Sequence, residues 1–92
     1  MAKILIIEDE ASIRRVLSKI LAEENDTYVV TEAADGEEGL EKIKNEDFDL
    51  VVCDIKMPKK DGEEVLQEAK KLKPEIPFIM ISGHGDLETA VN

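Results

Sequence analysis

Residues 49–54 read Asp-Leu-Val-Val-Cys-Asp, an apolar run closed at both ends by an acid. Four successive apolar residues without alternation suit a strand buried on both faces, the pattern of a parallel sheet between helices. Working outward, Lys3 to Ile7 repeats that signature and ends in Glu8-Asp9-Glu10, and Phe78 to Ile81 repeats it and ends in Ser82. Tyr28 to Thr31 is β-branched and aromatic and reads as a further strand.

Between these runs the period changes. From about Ser12, the residues Ile13, Val16, Leu17, Ile20 and Leu21 recur at helical spacing until Asn25 and Asp26 break it. Asp35, with Glu38 three residues on, has the form of a capping box, and Leu40 and Ile43 give that helix an inner face. Pro58 and Gly62 punctuate a loop, after which Val65, Leu66, Ala69 and Leu72 return to helical spacing. Pro74 and Pro77 close that helix, and Gly83 and Gly85 mark a loop after which Asp86 could cap a last helix. Strands alternating with helices imply parallel β-α-β units with right-handed crossovers, hence an α/β fold with a doubly wound sheet.

The composition narrows the function. With 92 residues there is room for one domain, and a hydrophobic content of 42% is that of an ordinary soluble chain. No apolar stretch approaches the roughly 20 residues that span a bilayer, and no basic-then-apolar leader opens the chain, so a cytoplasmic address is expected. The single cysteine, Cys53, rules out an intrachain disulfide. A net charge of −10 argues against direct binding to nucleic acid or an anionic membrane and favours metal cations and basic partners.

In open α/β sheets, ligands bind beyond the carboxyl ends of the strands. Glu8, Asp9 and Glu10 after the first strand, Asp54 at the end of the third and Ser82 after the fourth should therefore meet on one rim. Two carboxylates about 4 Å apart repel by roughly 4 kcal/mol at an effective dielectric of 20. Three crowded together must recruit a cation or keep a proton. An all-oxygen site with room for waters suits Mg²⁺. There is no G-x-x-x-x-G-K-[ST] loop, so a P-loop nucleotide does not explain the metal. His84, the only histidine, reads as a surface residue rather than a base.

The segments ILIIEDEASIRRVL, VVCDIKMPKKDG and IMISGHGDLETAV resemble, in order, the three signature regions of bacterial response-regulator receiver domains. The last segment is reminiscent of regulators of the nitrogen-regulation type. The resemblance implies a flavodoxin-like sheet of strand order 2-1-3-4-5, an order the general rule for this fold takes from a member of this family. Residue by residue, Asp54 resembles the phosphoacceptor and Asp9 the direct metal ligand. Glu8 resembles the acidic neighbour acting through water, and Lys56 stands where a backbone carbonyl completes the metal shell. Ser82 resembles the hydroxyl that hydrogen-bonds the phosphoryl oxygen and moves on activation, and Gly83 the small residue that leaves access. Met57, Pro58 and Gly62 resemble the turn into the third helix.

The implied activity is that of a phosphoacceptor in a two-component system rather than an enzyme, taking a phosphoryl group from a sensor histidine kinase onto Asp54 with Mg²⁺. The family's fifth strand ends in a lysine and leads into a fifth helix. The sequence reaches Asn92 before either, so residues 1–92 are expected to be a receiver cut at its carboxyl end, with the order 2-1-3-4 and phosphorylation weakened. Two other readings stand beside this one. The first is a fragment that mainly self-associates, through an open Phe78–Ile81 edge or an uncovered helix face at Ile13, Val16 and Ile20. The second is a Mg²⁺-dependent phosphate-ester hydrolase with Asp54 as nucleophile, against which no second aspartate stands two residues later.

Overall fold

The fold was analysed in a computed structural model, which describes residues 1–57, 60–81 and 89–91. The elements run β1 (Lys3–Ile7), α1 (Ala11–Glu24), β2 (Val29–Ala33), α2 (Gly36–Asn45), β3 (Leu50–Asp54), α3 (Gly62–Leu72), β4 (Phe78–Ile81) and β5 (Thr89–Val91). They build one sheet in the order β2-β1-β3-β4-β5, and the first four strands are parallel, in the expected order 2-1-3-4.

Strand alternation sorts the apolar residues to two faces. Leu5, Ile7, Val51, Cys53, Phe78 and Met80 pack with Ile43 of α2 and with Val65 and Ala69 of α3. On the other face, Ile4, Ile6 and Val52 meet Leu17 and Leu21 of α1. Helices thus cover both faces, although α1 has no fully buried residue, and Val16 and Ile20 remain 57% and 55% exposed.

Two caps differ from the sequence reading. Asp35 accepts from the Glu38 amide at 2.8 Å, but the Glu38 side chain turns to the amide of Ala34 rather than that of Asp35. The complete reciprocal box lies at α3, where Asp61 and Glu64 each accept from the other's amide.

The expectation of an open fourth-strand edge is corrected. Thr89–Val91 pairs antiparallel with β4 in the register Ile79↔Val91, Met80↔Ala90, Ile81↔Thr89. The physical reason is that an apolar strand with a free row of amides and carbonyls is a template for any nearby extended segment. A β-branched residue on either side of Ala90 suits that role. The chain's own segment thus lies along the edge that was expected to stay open, and it is a strand where the start of a final helix was expected. Asp86, the cap expected for that helix, lies outside the described residues, as do Pro58, Lys59, Gly83, His84 and Gly85.

Candidate metal centre

Parallel strands end on the same rim, so the residues that close them are brought together by register alone. Ile7 pairs with Cys53 across β1 and β3, which sets Glu8 beside Asp54. Asp54 in turn pairs with Ile81 of β4. The carboxylates of Glu8, Asp9 and Asp54 converge so that one oxygen from each lies within 4.8 Å of the others. Glu8 and Asp54 are fully buried, and Asp9 is half-buried.

The local chain explains how such a crowd is held. The Glu8 amide donates to the Ala33 carbonyl at 3.1 Å, extending the β1–β2 ladder by one residue. Glu8 Oε2 accepts from the Glu10 amide at 2.9 Å, which pins the side chain over its own turn. Behind Asp54, the Gly62 amide donates to the Ile55 carbonyl at 2.8 Å. Gly62 also has to be glycine, because a Cβ there would overlap the Asp54 carbonyl oxygen and the Ile55 Cα. The start of α3 therefore packs directly on the backbone that carries Asp54.

The donor set fits a hard cation. Glu8 Oε1 and Asp9 Oδ1 are buried with no hydrogen-bond partner among the described residues. A buried acceptor without a donor costs about 1–3 kcal/mol, and more when charged. Two such oxygens facing a third carboxylate call for a proton or a metal between them. Without a metal, Glu8 is pushed up from its ordinary 4.5 to about 7, chiefly by burial. The neighbouring Asp9 side chain and repulsion from Asp54 and Asp9 push the same way, against the Glu10 amide. Three carboxylate oxygen ligands match the preference of Mg²⁺ better than that of zinc, which favours nitrogen and sulfur.

The neighbouring Cys53 offers no competing chemistry. Its thiol is buried, donates weakly to the Asp54 carbonyl, and is pushed up to about 12 by burial and then by the charges of Asp54, Glu8 and Asp61. Lys56 follows with an exposed side chain outside the acidic group. Ser82 lies outside the described residues. The residue that sequence reasoning passed over is Arg14, whose Nη1 donates to the Glu8 carbonyl at 2.8 Å. In the sequence it is merely a polar position between the apolar residues of a helix.

Residues 4–92 match the family model described as the response regulator receiver domain. The chain belongs to this family. The receiver domain is 41% identical over 87 residues to the probable C4-dicarboxylate response regulator DctR of Bacillus subtilis, covering 95% of this chain and 38% of that protein. It spans little more than a third of the length of the curated relatives it first matches.

Among solved structures, a CheY-like receiver domain protein from Methanospirillum hungatei superposes with a TM-score of 0.85 at 41% identity, covering 95% of this chain and 68% of that one. The response regulator TrrA of Thermotoga maritima, solved with Mg²⁺ and BeF, gives 0.85 at 38% identity, with 92% and 72% covered. A structure of histidine kinase ThkA in complex with TrrA gives 0.84 at 37%, with 94% and 72% covered. The domain is thus a receiver of two-component signalling, with an acidic pocket of the kind in which receivers hold Mg²⁺. Among its described residues, no helix is long and apolar enough to cross a membrane.

Proposed function

We propose that Asp54 is a phosphoacceptor that takes its phosphoryl group from the phosphohistidine of a sensor histidine kinase. The observation that carries this reading is the buried convergence of Glu8, Asp9 and Asp54, two of them with an oxygen that has no hydrogen-bond partner among the described residues. A carboxylate oxygen of Asp54 attacks phosphorus, the bond from phosphorus to the histidine nitrogen breaks, and the imidazole leaves with that electron pair. Glu8, Asp9, Asp54 and the Lys56 backbone carbonyl would hold Mg²⁺, which when bound offsets the charge on the transferring oxygens. Ser82 is assigned the hydrogen bond to a phosphoryl oxygen. The kinase partner draws support from the ThkA complex formed by the related TrrA. The new charge would then bias the loops of the rim, which is how such a modification acts as a switch.

The test is acetyl phosphate with Mg²⁺, followed by mass spectrometry and phosphopeptide mapping. Label is expected on Asp54 alone, and Asp54→Asn should take up none. Label on Ser82 or His84 would overturn the assignment. No lysine of these 92 residues stands where the family's fifth-strand lysine does, so labelling of this stretch by itself should be slow.

A second reading, self-association, is favoured by one observation. Val16 and Ile20 lie more than half exposed on α1, in line with Ile13. Burying apolar surface stabilises by roughly 25 cal/mol per Å², and contiguous apolar patches of several hundred Å² mark contact sites. With the β4 edge covered by β5, this helix face is the remaining candidate contact. Light scattering at micromolar concentration should show a dimer that Val16→Glu returns to monomer, whereas a monodisperse 10.3 kDa parent would exclude it.

A further inference from the structure

The turn after β1 carries two of the three carboxylates, and its conformation decides whether they face one ion. On one side of Glu8, its amide is tied to β2 through the Ala33 carbonyl. The other side, its carbonyl, lies past the last paired residue of β1 and is held by Arg14 Nη1 at 2.8 Å. Arg14 Nε is held in turn by Glu32 Oε1 of β2 at 3.0 Å, and the arginine side chain is only 17% exposed. Its backbone sits in the first turn of α1, where its amide bonds the Glu10 carbonyl at 2.9 Å. A single guanidinium therefore links helix, turn and edge strand.

We propose that Arg14 is a positioning residue for the metal centre, an inference that rests on the Mg²⁺ reading given above. The Glu8 carbonyl and the Asp9 amide belong to one rigid peptide plane. Rotation of that plane swings the Asp9 side chain relative to Glu8, and with it the distance of both from Asp54. The charge-assisted bond to Arg14 fixes the plane through its carbonyl. The planar fork of arginine reaches the carbonyl and Glu32 together, which the single ammonium of lysine does not.

A sign argument separates this role from plain electrostatics. Deleting a cation near a cation site strengthens Mg²⁺ binding if charge alone matters, because the repulsion is removed. Deleting a positioning group weakens it, and loss of such outer-shell support commonly costs 10–100-fold in metal affinity.

Calorimetric titration of the 92-residue chain with Mg²⁺ alone is the experiment, run well below the melting temperature. Arg14→Ala is expected to raise Kd about ten-fold, Arg14→Lys to recover part of the loss, and Asp9→Asn to abolish binding. A Kd in Arg14→Ala that is unchanged or tighter overturns the inference, even where the melting temperature in EDTA falls, since that marks a merely structural residue. If the parent fails to bind Mg²⁺, or Asp9→Asn binds as the parent does, the metal reading fails and this inference with it. Binding lost in Asp9→Asn and unaltered in Arg14→Ala overturns the inference alone.

Discussion

The two ends of the sheet carry similar acidic residues in opposite circumstances. At the amino end of the strands, Glu46 is paired with the Lys3 ammonium at 2.9 Å, and Asp47 with that of Lys73. Asp49 accepts from the Lys3 amide at 2.7 Å. Lys3 also lies over the Phe48 ring, 5.2 Å from its centroid, and Lys73 donates to the Glu46 carbonyl at 2.7 Å. At the carboxyl end, Glu8 and Asp54 are buried, and the acidic oxygens of Glu8 and Asp9 find no such cations among the described residues. Paired, exposed acids at one end are a structural solution. Buried acids crowded at the other are stable only with something added, and that asymmetry is what separates a site from a surface.

The comparison predicts opposite responses to pH, and the larger belongs to the carboxyl end. Glu8 has its folded-state value raised from 4.5 to about 7, so between these values the native state holds a proton that the unfolded chain has released. Unfolding free energy must then fall as pH rises through that window. Stability from this source is fully present below 4.5 and fully lost above about 7. The loss is about 3 kcal/mol, or on the order of 10 °C in melting temperature for a domain of this size. Thermal melts in EDTA from pH 5 to 8 should show the decline. Saturating Mg²⁺ should remove it, because binding to the native state alone stabilises by mass action and takes the place of the proton. Glu8→Gln should flatten the EDTA profile and blunt the Mg²⁺ response together. A slope that survives this substitution would place its source away from the metal centre.

How much of this was legible in the sequence depended on whether local pattern or long-range register decided it. The strands at Lys3–Ile7 and Leu50–Asp54 are apolar throughout, so their nature and their shared rim followed from the residues, and Glu8, Asp9 and Asp54 with them. The second strand fell one to two residues later than read, because Tyr28 packs against the core from just outside it. The box at Asp61 and Glu64 was hidden inside a stretch that reads as a loop around Gly62. β5 was missed because three residues cannot display a period, and its pairing is set by a neighbouring edge rather than by its own composition. Arg14 was invisible for the same reason, since Glu32 and the Glu8 carbonyl become its partners only once β1 and β2 are in register.

The smaller effect belongs to the amino end. Asp47 is held below its ordinary 3.8, first by the hydrogen bond from Lys73 and then by that ammonium's charge, so the unfolded chain takes up a proton before the native state does. Whatever stability this pair contributes is present above 3.8 and is lost as pH falls below it, the reverse of the Glu8 slope. Because the Asp47 side chain is almost wholly exposed, water and salt screen the pair, and such pairs contribute little. Lys73→Met should therefore lower the melting temperature at pH 7 by only about 2 °C, with part of that from the lost bond to the Glu46 carbonyl. Mg²⁺ affinity should not move, since Lys73 sits at the far end of the sheet from the acidic group. A variant that altered Mg²⁺ binding as strongly as Arg14→Ala is expected to would mean that the two ends are coupled through the strands. The contrast between a self-contained ionic end and an incomplete one would then have to be abandoned.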